Sequence, residues 1–253
     1  MISSTNLNIL IYNTQSRLKA ETARNYLGFL WWIIEPILNL AVYYVFIGLL
    51  LQRGDENYIY TLFIGLLTWK WIAKAITTST GSIIAKNGLI NQVYIPKYIF
   101  PVSEVLYSTW KYLIILIFLL LFFVAVGFGS SLYLIHLPPI LLIFFLICLG
   151  GSLVSAAITP FVPDFKYLIP QLLQILFYGS GVIFDKGIVP KKYHYILELN
   201  PLFNCFEALK GVTIFKRSPN YNHLFPAFLI GLGLVYLGLW IIKRNDKVYP
   251  KIM

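Results

Sequence analysis

Charge is scarce in this chain, and acid scarcer still. Charged residues make up 12% of 253 positions, and ten Asp and Glu stand against twenty Lys and Arg, a net charge of +10. An ordinary soluble surface needs about 25% charge, so that class is excluded. Cysteine is nearly absent: Cys148 sits in an apolar run and Cys205 in a later loop, which rules out a disulfide framework and fits no metal spacing. No glycine is followed by lysine, so the chain has no G-x-x-x-x-G-K-[ST] loop to cradle a nucleotide. Residues 1–27 lack the short apolar core and small-residue cleavage site of a cleavable signal. Of the histidines, His136 and His223 stand alone, and His194 has only Glu198 four residues on, a spacing typical of a surface pair.

What the chain has instead is apolar length. Hydrophobic residues reach 58%, gathered into six stretches at about 28–51, 58–82, 101–127, 138–159, 168–185 and 224–243. A spanning helix needs about 20 such residues. None of the stretches alternates in the manner of a membrane β-barrel, and backbone in lipid must satisfy its own hydrogen bonds, so helices are expected. The expected fold is all-α: one polytopic domain over residues 1–253 with six transmembrane helices. Arg17, Lys19 and Arg24 precede the first stretch, and Lys243, Arg244, Lys247 and Lys251 follow the last. An even number of spans puts both ends on one side, and the positive-inside rule makes that side cytoplasmic. The positive charge therefore reads as membrane orientation, not as a nucleic-acid surface. Six further cations between Lys186 and Arg217 fall on the outer side, but long loops weigh less in orientation.

Two flanking segments have their own patterns. Leu7, Leu10, Ile11, Leu18 and Leu27 recur at helical spacing while Arg17, Glu21 and Arg24 share another face, which predicts an interfacial helix. Between the fifth and sixth stretches, Tyr195–Phe215 is apolar but split by Asn200-Pro201, with Glu198, Glu207 and Lys210 embedded. Such charges are costly at membrane depth. A re-entrant pair of short helices is expected, with Asn200 as cap and Pro201 at the first helical position.

Three stretches carry a polar stripe. Glu35, Asn39 and Tyr43 follow steps of four; Lys70, Lys74 and Thr77 line up in the second; Tyr167, Gln171, Gln174 and Tyr178 line up in the fifth. Singly, each stripe also fits helix–helix hydrogen bonding, an ion pair between Glu35 and a lysine, or snorkelling by Lys70 and Lys74. Together they point to a lined pathway. Aromatic faces with hydroxyl and amide groups suit sugars, whose rings are apolar and whose edges need hydrogen bonds. Weak, repeated contacts also let a polymer leave as readily as it enters.

Several segments, in order along the chain, resemble one family. Leu27-Gly28-Phe29-Leu30-Trp31-Trp32 through Glu35-Pro36 is similar to the first-span signature of ABC-2 type permeases that export polysaccharides. Asn87-Gly88-Leu89-Ile90, Val93-Tyr94-Ile95-Pro96-Lys97 and Phe100-Pro101 resemble their inner loop and the start of their third span. Asp164-Phe165-Lys166-Tyr167 with Pro170, and Leu199-Asn200-Pro201-Leu202-Phe203, resemble the start of their fifth span and their outer segment. The resemblance implies a homodimer working with two copies of a separate ATPase, with ATP and Mg bound there and no cofactor in this chain. It implies a cargo of undecaprenyl-diphosphate-linked glycan, of O-antigen or capsular type. It assigns ATPase contact to Arg17, Glu21, Arg24, Asn87, Gly88 and Asn91, and closure of the exit side to Asn200, Pro201, Glu207 and Lys210. A cargo of teichoic acid, a drug or another lipid remains open. So does a glycolipid-modifying enzyme built on Lys191, Lys192, His194, Glu198 and Glu207.

Overall fold

Apolar length decides the architecture. The structure, a computed structural model, describes residues 4–24, 28–43, 45, 57–90, 92, 94–128, 132–184 and 186–252. Among the described residues there is no strand. The helices are α1 (Ser4–Arg24), α2 (Trp31–Tyr43), α3 (Tyr58–Thr80), α4 (Asn87–Ile90), α5 (Ile99–Phe123) and α6 (Leu137–Ile158). After them come α7 (Phe165–Gly179), α8 (His194–Leu199), α9 (Pro201–Thr213), α10 (Tyr221–Arg244) and α11 (Tyr249–Ile252).

Four helical segments are long and apolar enough to cross a bilayer: Tyr58–Thr80, Ile99–Phe128, Leu132–Ile158 and Tyr221–Arg244. They correspond to the second, third, fourth and sixth expected spans. The other two do not reach spanning length within the described residues. The first stretch is helical as α2 for 13 residues, and residues 44 and 46–56 lie outside the described residues. The fifth forms the 15-residue α7, which at 1.5 Å per residue covers about 22 Å of a core about 30 Å thick.

Helix α3 is the hub, packing against α2, α5, α6, α7 and α9. Leu62, Ile64 and Ile72 on α3 meet Phe144 of α6 and Phe206 and Leu209 of α9 in one buried cluster. Helices α6 and α10 approach most closely, through glycine. A Cβ at Gly238 would stand 2.5 Å from Leu153 Cβ, and one at Gly150 equally close to Leu234 Cβ. Small residues at such crossings let backbones touch, which substitutes for a hydrophobic drive in lipid. Gly127, at φ +104, closes the π-helical turn after α5, a conformation costly for a residue with a Cβ.

The segment after α7 folds as two short helices. The Asn200 side chain accepts from the backbone N–H groups of Leu202 (3.0 Å) and Phe203 (3.4 Å), with Pro201 opening α9. The cap is where the sequence predicts it.

Helix α1 packs against α5, and two of its charged residues find partners there while Arg17 stays partly exposed. Arg17 pairs with Glu104 and lies 5.7 Å over the Tyr107 ring, while Glu21 accepts from Lys111 at 2.8 Å. Leu10 and Thr14 are buried along the same helix. The reason is electrostatic. Glu104 and Lys111 stand two turns apart on α5, and partly buried charges need partners of opposite sign, which α1 supplies in matching order.

Candidate functional site

Over its second half α3 is covered on every side but one. Lys74 and Thr77 are exposed and Lys70 half-buried, while Trp69, Trp71, Ile72, Ala75 and Ile76 are buried. That open strip is one wall of a cleft of about 650 Å³ to which α1, α2, α5 and α7 also contribute. The stripes inferred from sequence meet here: Glu35 from α2, Lys70, Lys74 and Thr77 from α3, and Gln174 and Tyr178 from α7. Glu35 and Lys70 lie 3.6 Å apart as an ion pair. Not all of the stripe joins. Tyr167 and Gln171 are exposed on α7 but do not line the cleft. The side chains of Asn39, Tyr43 and Arg24, and Asn91 as a whole, lie outside the described residues.

The floor is aromatic, and sequence reasoning missed it. Trp71 stacks on Tyr112 with ring centroids 4.3 Å apart and planes inclined by 8°. Its indole N–H donates to the Thr109 hydroxyl at 3.2 Å, and the Tyr112 and Thr68 hydroxyls share a hydrogen bond of 3.0 Å. Trp69 packs against Phe177 of α7 at 5.5 Å. Lys111 lies 5.2 Å over the Trp32 ring while bonded to Glu21. The signal for this wall was present. Ser108, Lys111, Tyr112 and Ile115 recur at helical spacing in the third apolar stretch, but apolar neighbours conceal the pattern.

The cleft therefore combines rigid ring faces, hydroxyls, an amide and three lysines against two glutamates. The Ser108 Oγ and the Glu21 Oε2 are buried with no hydrogen-bond partner among the described residues. Ring faces accept the apolar side of a ring-shaped guest, and the polar atoms accept its edge.

Apart from Glu21, which reaches the cleft from α1, the remaining candidates fall elsewhere. Arg17 and Glu21 are engaged with α5, and Asn87 and Gly88 open the short helix α4. Lys210 is 2% exposed and donates to the carbonyls of Gly181 (2.7 Å) and Phe184 (3.4 Å), tying α9 to the turn after α7. The Asn200 side-chain amide donates to Gly179 O at 2.8 Å in the same region. Glu207 lines a second cleft of about 540 Å³ with Lys186, Glu198, Arg217 and His223. Glu198 is hydrogen-bonded to Lys186, which holds its carboxyl below the usual carboxylate range. A His194 ring nitrogen bonds to Val189 O at 2.8 Å. Glu198 and His194 are thus occupied in shaping their own loop.

Comparison with known proteins fits this arrangement. O-antigen export system permease proteins RfbA are similar over nearly full length. One from Klebsiella pneumoniae is 24% identical, over 97% of this chain and 95% of its own. The one from Myxococcus xanthus is 23% identical, over 96% and 94%. The polysialic acid transport protein KpsM of Escherichia coli is 26% identical over 82% of this chain and 84% of its own. Residues 10–214 match the family described as ABC-2 type transporter. A match over most of the chain, enclosing every residue that lines the cleft, decides membership: this protein belongs to the ABC-2 type transporter family.

Proposed function

We propose that the chain is the membrane-spanning permease subunit of an ATP-driven exporter that moves lipid-linked polysaccharide, of O-antigen or capsular type, across the bacterial inner membrane. The observation that carries this reading is the convergence of polar stripes from α2, α3 and α7 on one aromatic-floored cleft. The likeness to O-antigen and polysialic acid permeases supports a glycan cargo. The chain itself is not an enzyme in this reading; ATP and Mg belong to two copies of a partner ATPase.

The active unit is a homodimer. Helix α7 buries only Leu173 and Phe177 within one chain and leaves Gln171, Gln174 and Tyr178 uncovered. Such amides are costly against lipid, so a second copy or the water of a channel between two copies covers them. In the dimer the first and fifth apolar stretches, which contain α2 and α7, complete six spans in each chain. Both termini then face the cytoplasm, where the basic ends place them. The loop carrying Asn87, Gly88 and Asn91 receives the ATPase, and α8 and α9 form the re-entrant pair on the exit side. The undecaprenyl-diphosphate end of the cargo enters from the inner leaflet.

The test is purification of the tagged protein from gently solubilised native membranes. An ATPase that co-purifies and is stimulated by lipid-linked glycan is the expected result. A complex whose ATP hydrolysis responds to teichoic acid or a drug, and not to glycan, overturns the cargo. A lone subunit that turns over lipid-linked sugar without ATP overturns the transport reading.

A further inference from the structure

Residues 243–251 run Lys-Arg-Asn-Asp-Lys-Val-Tyr-Pro-Lys, so Asp246 is the one acid among four cations. It reaches away from them. Asp246 Oδ1 lies 3.4 Å from Nζ of Lys97, and Oδ2 accepts a hydrogen bond of 2.9 Å from the Tyr94 hydroxyl. Both partners belong to the loop between α3 and α5. Lys97 is 3% exposed, and its ammonium sits 4.8 Å over the Tyr94 ring. An ammonium so buried needs a counter-charge held in place, and Asp246 supplies it.

The tail has a second anchor. The N–H groups of Val248 and Tyr249 both bond to the carbonyl of Asn245, which turns the chain back under the bundle. Tyr249 is fully buried, donates to Ala157 O of α6 at 3.1 Å, and packs its ring against Phe161 at 5.5 Å. One anchor therefore grips the loop that leads into α5, and the other grips the end of α6.

We propose that the segment after α10 is a clasp, with Asp246 as its positioning residue. It makes the loop at residues 94–97 move with α6 and α10, not with α5 alone. Two facts give the clasp a mechanical consequence. Lys97 lies two residues before α5, and Asp246 two residues after α10. Helices α6 and α10 touch through Gly150, Gly231 and Gly238 with no space for a Cβ, so a pull on one is a pull on both. On the exporter reading, which this consequence rests on, a push delivered to the loop by the ATPase reaches α10 through Asp246.

The experiment is hydrogen exchange on the full chain in nanodiscs, with export per membrane copy measured in parallel. Asp246→Asn is expected to speed exchange in 94–102 and 245–252 by at least roughly tenfold, as for loss of a charged hydrogen bond. Amides of α3 and α9 should stay protected, and export per copy should fall several-fold with ATP hydrolysis retained. The exchanged pair Lys97→Asp with Asp246→Lys is expected to recover part of both. If Asp246→Asn does not accumulate, Tyr94→Phe, which removes no charge, is read in the same way. Unchanged exchange in 94–102 overturns the clasp. Faster exchange with unchanged export per copy overturns its role in transmission. A wild-type protein that exports no glycan counts against the exporter reading, and the exchange result still decides the clasp.

Discussion

Lys111 of α5 donates to Glu21 of α1 at 2.8 Å while its ammonium lies 5.2 Å over the Trp32 ring at the rim of the cleft. One lysine thereby joins three helices. The pair is neither fully exposed nor fully dry, so its coupling energy should fall near 1 kcal/mol, about the upper limit for exposed pairs. A double-mutant cycle on Lys111→Met and Glu21→Leu, read by thermal unfolding in detergent, measures it. Strict additivity would show that the contact contributes nothing.

The crossing of α6 and α10 should tolerate no side chain. Gly238→Ala would bring a Cβ to 2.5 Å from Leu153 Cβ and 2.9 Å from Val154 N. Overpacking of this kind costs about 1–3 kcal/mol. Gly233→Ala, with nothing within 4 Å, should be neutral or slightly stabilising. Melting temperatures of the two variants separate close packing from a general helix-propensity effect.

In the cleft, Gln174→Ala with Tyr178→Ala should reduce export by about fivefold or more, the equivalent of one contact of about 1 kcal/mol. Membrane level and ATPase binding should be unchanged, because both residues are exposed within the single chain. Tyr167→Ala, on the same helix but outside the cleft, is the matched control. Equal loss in both would argue that α7 acts through folding or dimer contact.

Lys210→Met should cost about 1–3 kcal/mol, because the carbonyl of Gly181 loses its buried donor. The damage should be local. Faster exchange in 179–186 and 201–213 is expected, with α10 unaffected.

The Tyr94 hydroxyl should stay protonated well into alkaline conditions. Its hydrogen bond to Asp246, and then the charge of that carboxylate, raise its pKa above the usual tyrosine value. A raised pKa means that folding favours the protonated phenol. The contribution is complete below the unfolded value of about 10 and is lost as pH rises through the folded value. Protection of 245–252 should therefore fall above that pH in the wild type, with the extra alkaline step missing in Tyr94→Phe.

Much of this was legible in sequence because membrane burial leaves long, plain signals. Four of the six apolar stretches are helices of spanning length, and the Asn200-Pro201 start of α9 follows from local capping chemistry alone. The stripes at Glu35, Lys70, Lys74, Gln174 and Tyr178 were readable because helical spacing is a local property, and the structure brings all five to one cleft. The contacts of Arg17 and Glu21 were not. Their partners, Glu104 and Lys111, lie about 90 residues away, and no local pattern says which helix α1 will meet. The aromatic floor was hidden for a related reason: Trp71 and Tyr112 look like ordinary interior residues until their stacking is seen. Asp246 gave only a compositional hint, one acid in a basic tail.

The most direct measurement is ATP-dependent movement of a labelled lipid-linked glycan in proteoliposomes holding this subunit and its ATPase. The cleft variant Lys74→Ala/Gln174→Ala/Tyr178→Ala is compared with the wild type. The expected result is ATP-dependent transfer of glycan across the bilayer by the wild type, and strongly slowed transfer with undiminished ATP hydrolysis in the variant. Transfer that ignores ATP, or that proceeds at the wild-type rate in the variant, would contradict a glycan path through this cleft.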